Sequence, residues 1–207
     1  MNTTRLSALI VGFLLVLFFL FRPESKPVDT QRLERDALVL AFGDSLTYGY
    51  GAVDQSYPKQ LQTLIGRKII NAGVSGEVSS SGLKRLPKLL EAYRPALVIL
   101  CHGGNDILRR SSREKLRSNL NAMIRLARES GAQVLLVGVP GFGLLGLETV
   151  PLYAEVAQEE GVLYEGEILE TIENDPALKS DQIHPNASGY TLMAETFAKL
   201  LQESGAL

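Results

Sequence analysis

The sequence predicts an α/β fold, a three-layer α/β/α sandwich around a central parallel sheet of about five strands. Two observations predict it. Short continuous apolar runs, such as Ala37–Phe42, Ala96–Cys101 and Val134–Val139, alternate with longer amphipathic stretches. Uninterrupted apolar runs of this length suit strands buried on both faces. Strands separated by helices imply βαβ units, hence a parallel sheet with right-handed crossovers.

The elements follow in order. Leu6 to Phe21 carries no charge and is mostly Leu, Val, Ile and Phe, between Arg5 and Arg22-Pro23. It reads as an N-terminal hydrophobic helix preceding the fold, over residues 1–22. A signal peptide would suit its length. No small-residue cleavage site stands at Phe18–Pro23, which favours an uncleaved membrane anchor. The cations that follow, Arg22, Lys26, Arg32 and Arg35, would by the positive-inside rule keep the body in the cytoplasm. A short basic start before an apolar run still resembles an export signal, and a bacterial periplasmic or inner-membrane location is the expectation. Residues 23–35 are polar, Pro-containing and aperiodic, and read as a linker.

The domain is expected over 36–207. Ala37–Phe42 is the first strand and Tyr57–Ile65 a helix. Lys68–Asn71 is a second strand, and Ser79–Tyr93 a helix that Pro87 should kink. Ala96–Cys101 is the third strand. In Ser112–Ser130, Leu116, Leu120, Ile124 and Ala127 recur at helical spacing. Ser111 and Glu114 fit a capping box there, and Gly131 fits the stop. Val134–Val139 is the fourth strand, Leu152–Glu160 a helix, Val162–Tyr164 a weak fifth strand. Glu167–Asn174 and Ala187–Gln202 are helices, the last capped by Asn186.

Composition excludes several functions. Net charge is -2, without the basic excess that nucleic-acid binding by counterion release needs. The one cysteine, Cys101, rules out an intrachain disulfide and reads as a buried, inert thiol. With only His102 and His184, a histidine-rich metal site is poorly supported, and neither metal nor cofactor is expected.

The chemistry-bearing residues fall after the strands, where open α/β sheets bind ligands. Gly43-Asp44-Ser45 follows the first strand, and taken alone is only a common turn tripeptide. Asn71-Ala72-Gly73 follows the second, and Gly73 permits close approach of a backbone N–H to a ligand. Gly103-Gly104-Asn105-Asp106 follows the third, where Asn105 offers an amide donor. Asp181 and His184 lie three apart in the loop before the last helix. Acyl transfer by a serine needs a base, a carboxylate to orient it, and donors for the oxyanion. Each piece also has a plain structural reading as turn or cap; their order and placement carry the case.

With these four blocks in hand, Gly43-Asp44-Ser45-Leu46, Asn71–Gly76, Gly103–Asp106 and Asp181–Asn186, the chain resembles the GDSL, or SGNH, hydrolase family. The likeness runs from the first strand to the end, and implies a flavodoxin-like arrangement of the sheet. Gly82–Pro87 and Gly104-Asn105-Asp106 are most similar to the bacterial arylesterase, acyl-CoA thioesterase and lysophospholipase group. The resemblance implies Ser45 as nucleophile, His184 as base and then acid, and Asp181 as its orienter. It implies an oxyanion hole from the Ser45 and Gly73 N–H groups and the Asn105 side chain, with Asp44 buttressing the turn. Two departures stand beside the site: Glu77-Val78 in place of an Asp-Thr pair, and His102, for which the motif offers no role.

Gly141-Phe142-Gly143-Leu144-Leu145-Gly146 fits the dinucleotide pattern, with Glu165 about 20 residues on. Pro140 and the late start of the next helix argue against it. An apolar Gly-hinged substrate loop, with Phe142, Leu144 and Leu145 near the acyl group, is the expectation beside that of a plain surface loop. The function expected is hydrolysis of small-molecule, possibly lipid, esters or thioesters. A carbohydrate O-acetyl esterase and a membrane-tethered binding protein are the alternatives. No nucleic acid is expected as partner, and the sequence is silent on oligomeric state.

Overall fold

The computed structural model describes residues 28, 30–143 and 146–207. The run Leu6–Phe21, read above as anchor or signal, lies outside the described residues, as do Leu144, Leu145 and the first part of the linker. Among the described residues no helix is long and apolar enough to cross a membrane.

Seven strands and eight helices are described. The strands are β1 Leu38–Gly43, β2 Lys68–Gly73, β3 Leu97–Cys101, β4 Gln133–Val137, β5 Pro140–Phe142, β6 Leu147–Thr149 and β7 Leu163–Glu165. The helices are α1 Ser45–Tyr48, α2 Tyr57–Ile65, α3 Ser79–Tyr93, α4 Gly104–Leu108, α5 Arg113–Glu129, α6 Leu152–Glu160, α7 Ile168–Asn174 and α8 Ala187–Glu203. Five strands form one parallel sheet in the order β2-β1-β3-β4-β7. β1 runs outward to β2 on one side, while the chain returns past it to β3 on the other. The connections therefore reverse between β1 and β3, and a crevice opens at their carboxyl ends. Gly43 lies there, level with Gly73 of β2 and Cys101 of β3.

The expected strands are all present, shifted by a residue or two. β3 is buried along its whole length, and β1 from Val39 onward, as their unbroken apolar runs require. α2 and α8 pack together on one face, where Tyr57 meets Phe197 edge to face at 5.2 Å. α3, α5 and α6 cover the other. These layers are the three of the sandwich.

Local details differ from expectation for physical reasons. Ser112, not Ser111, caps α5: its Oγ accepts from the Lys115 N–H at 3.3 Å and donates to Glu114 at 2.6 Å. α3 runs unbroken through Pro87, which lies on its exposed side, where water can serve the carbonyl the proline leaves free. The end of the expected linker is docked. The Leu33 N–H donates to Ala206 O at 2.8 Å, and Gln31 and Gln133 exchange two hydrogen bonds. Buried Leu33 completes that edge of the core. The G-x-G-x-x-G run forms an antiparallel hairpin of β5 with β6, not a strand-to-helix phosphate turn.

Candidate active site

Ser45 is placed by the turn at the end of β1. Asp44 caps α1, its Oδ1 accepting from the Leu46 N–H at 3.2 Å. Its Oδ2 accepts from the Asn105 side chain at 3.4 Å, which ties the loop after β1 to the loop after β3. Burial pushes the Asp44 carboxyl up, and His102, these hydrogen bonds and His184 only partly offset it. Ser45 follows, partly exposed at the crevice.

Asp181 and His184 come from the loop before α8. Asn186 shapes that loop by accepting from the Gly189 N–H at 3.1 Å and donating to Ala177 O at 2.8 Å. Asp181 Oδ1 accepts from the Ile183 and His184 N–H groups at 2.9 and 2.8 Å, and its Oδ2 lies 2.7 Å from His184 Nδ1. Partial burial would raise the Asp181 carboxyl, but these bonds and the imidazole outweigh it and hold it below its ordinary range. His184 Nε2 lies 3.0 Å from Ser45 Oγ. With the Nδ1 proton donated to Asp181, Nε2 is left to accept the Ser45 hydroxyl. The Tyr50 ring, unforeseen from sequence, packs on the imidazole at 4.4 Å.

Gly73 stands apart from this group. Its N–H donates to Asn71 Oδ1 at 2.9 Å, and the residue does not line the cleft. A Cβ there would lie 2.0 Å from the Tyr48 backbone nitrogen, so close packing of β2 on α1 explains the glycine. Gly76, three residues on, does line the cleft, at φ 76° with open space around it. Its N–H has no hydrogen-bond partner among the described residues. Of the two glycines in this block, Gly76 lines the cleft and Gly73 does not.

Two clamps hold the Gly76 segment in place. Asp106 accepts from the Ser79 N–H and Oγ, both at 2.7 Å, joining the start of α3 to α4. The Arg85 guanidinium meets both oxygens of Glu77 and donates to the carbonyls of Gly43 and Ala72 at 3.2 and 2.8 Å. It also covers the Phe42 ring at 4.2 Å. Buried His102 approaches the same Glu77 at 3.2 Å. The two departures seen in the sequence are therefore partners. Burial works against the Glu77 carboxylate, but His102 and Arg85 hold it below its ordinary range. Cys101 is buried, and burial pushes its thiol well up, consistent with an inert side chain.

A cleft of about 220 Å³ opens on Ser45 and His184. Leu46, Ile107, Leu108, Val139, Leu147 and Ile183 make it apolar, and Phe142 of the hairpin stands over it, 86% exposed. Two acids line it as well: Asp44, described above, and Glu173, which was not foreseen. Among the described residues no three His, Cys, Asp or Glu side chains gather to hold a metal ion.

A serine, a histidine and an aspartate in hydrogen-bonded sequence, at the switch point of a parallel α/β sheet, define a serine hydrolase. Comparison with known proteins gives the family. Residues 41–192 match the GDSL-like lipase/acylhydrolase family, and the chain belongs to it. It is 35% identical to esterase TesA of Pseudomonas aeruginosa, over 71% of this chain and 79% of that one. It is 31% identical to an arylesterase of Vibrio mimicus, over 90% and 95%. Among solved structures, TesA superposes with a TM-score of 0.72 at 30% identity, covering 80% of this chain and 98% of the other. The esterase EstA from Pseudoalteromonas sp., in a structure inhibited by monoethylphosphonate, gives 0.72 at 26% identity, covering 82% and 98%. The protein is a serine ester hydrolase of the GDSL/SGNH type.

Proposed function

We propose that Ser45, His184 and Asp181 cleave carboxylic esters or thioesters through an acyl-enzyme. The Ser45 proton passes to His184 Nε2 as Oγ bonds to the acyl carbon. The bond to the leaving oxygen or sulfur then breaks, and that atom takes the proton from Nε2. Water repeats the sequence: its proton goes to Nε2, its oxygen bonds to the acyl carbon, and Oγ leaves with the proton returned. Asp181 holds the imidazole in the required tautomer. The oxyanion meets the N–H groups of Ser45 and Gly76 and the Asn105 amide, with Gly76 in the place first expected of Gly73. The observation that carries this reading is the unbroken contact from Ser45 Oγ to His184 at 3.0 Å and on to Asp181 at 2.7 Å.

The apolar cleft favours acyl chains longer than acetyl. Relatives named esterase, arylesterase and thioesterase 1/protease 1/lysophospholipase L1 support ester and thioester substrates. The domain expected over 36–207 extends back to the docked Gln31 and Leu33; its carriage at the membrane or export by the segment before it rests on the charge-free run Leu6–Phe21 alone. The test is turnover of p-nitrophenyl esters from acetate to palmitate. Medium-chain esters should be preferred, and Ser45→Ala should lower kcat by on the order of 10⁴ or more. A sharp preference for acetate would favour an O-acetyl esterase instead. Turnover unchanged in Ser45→Ala would remove the mechanism.

A further inference from the structure

The cleft beside Ser45 contains one group that ester hydrolysis does not use. Glu173 sits at the end of α7, 7% exposed, and lines the cleft among Val139, Phe142, Leu147 and Ile183. Among the described residues its carboxyl has neither hydrogen-bond nor ion-pair partner. The other buried acids are engaged: Glu160 with Arg125, Glu165 with the Glu167 and Ile168 N–H groups, Asp44 and Asp106 as described above. Lys179 is near, but its ammonium donates to the carbonyls of Glu173 and Gln182 at 2.6 and 3.4 Å. The Glu173 oxygens are not sealed in the core but open on the cleft, so a chain bound there strips their water, and a carboxyl then left without a partner costs free energy. Burial pushes this carboxyl up to about 8, with Lys179 opposing and Asp44 adding to the effect. At neutral pH it is therefore mainly a neutral acid, with one O–H to donate and one carbonyl oxygen to accept.

Resting on the ester-hydrolase reading above, we propose that Glu173 makes the cleft select acyl chains that carry a hydroxyl group. An alcohol can accept from the acid and donate to it, supplying both bonds that the apolar walls withhold. A cationic chain fits less well, because Lys179 already places a positive charge nearby. A plain alkyl chain would cover the carboxyl and leave it unpaired.

The test is kcat/KM for p-nitrophenyl octanoate and for octanoates bearing one hydroxyl at successive carbons, with the wild type, Glu173→Leu and Glu173→Gln. In the wild type at least one hydroxy ester should exceed its parent. Glu173→Leu should lower that hydroxy-to-parent ratio by about tenfold or more. Glu173→Gln keeps a donor and an acceptor and should retain most of it. Glu173→Met supplies the same comparison with a differently shaped apolar side chain. A ratio unchanged in the leucine and methionine variants overturns the proposal. So does an ω-amino ester that the wild type prefers to every hydroxy ester. Ser45→Ala separates the two failures, since turnover persisting there would sink the hydrolase reading instead.

Discussion

Replacing Glu173 by glutamine should stabilise the protein in alkaline solution and do little in acid. The folded chain keeps a proton on this carboxyl that the unfolded chain releases. Between the ordinary value of 4.5 and about 8 the folded state therefore binds more protons. Stability must fall as pH rises through that interval and level off above it. Each pH unit is worth about 1.4 kcal/mol, so the full interval sets a ceiling on the order of 5 kcal/mol. For a chain of this size that corresponds to about 2–4 °C in Tm for every 1 kcal/mol. Glutamine has nothing to titrate. Glu165, which burial also pushes up, is present in both proteins and cancels in the difference, and Asp44 cancels but for its own effect on Glu173. The assay is urea unfolding of wild type and variant at a series of values from about pH 5 to about pH 9. The wild type should lose ground steadily with rising pH and then run parallel to the variant. Curves parallel throughout would show that Glu173 ionises as it does in water, and the reasoning about its burial would be wrong.

Further expectations concern the oxyanion segment and its supports. Gly73→Ala should destabilise strongly, by more than about 2 kcal/mol in chemical unfolding, because the new Cβ meets backbone; equal stability would contradict that packing. Gly76→Ala meets open space but an unfavourable φ, costing about 1–2 kcal/mol. Its larger effect should be on kcat, and a change in KM alone would argue against Gly76 as a donor. Glu77→Gln should lower kcat several-fold with little change in KM, as the Arg85 clamp loosens beside Gly76, and Glu77→Asp should restore part of it. Equal loss in both kinetic constants would reduce the clamp to a folding element.

The sheet was readable because β1, β3 and β4 are continuous apolar runs, a pattern that water permits only for strands covered on both faces. Ser45, Asp181 and His184 were readable because the chain has two histidines and one of them has an acid three residues before it. Gly73 and Gly76 were harder to tell apart, since both lie in one block and which N–H faces the cleft depends on the turn after β2. A local signal existed: asparagine side chains commonly bond the backbone N–H two residues on, and Asn71 does this to Gly73. His102 and Glu77 meet only through the fold, 25 residues apart, so neither explained the other in sequence. The hairpin of β5 and β6 was hidden by its glycines, which read as a hinge. Glu173 looked like one more polar residue of a short helix, because nothing local reveals that its side of α7 faces the cleft.

The central claim is that Ser45 is the nucleophile, poised by His184 and Asp181. The most direct measurement is intact-mass analysis after treatment with a phosphonate ester, the class of inhibitor seen in the EstA structure. The wild type should gain one phosphonyl group, mapped to Ser45 by peptide sequencing, with activity lost in proportion. Ser45→Ala should gain none. A wild type that stays unlabelled and active, or a label on another residue, would contradict the assignment.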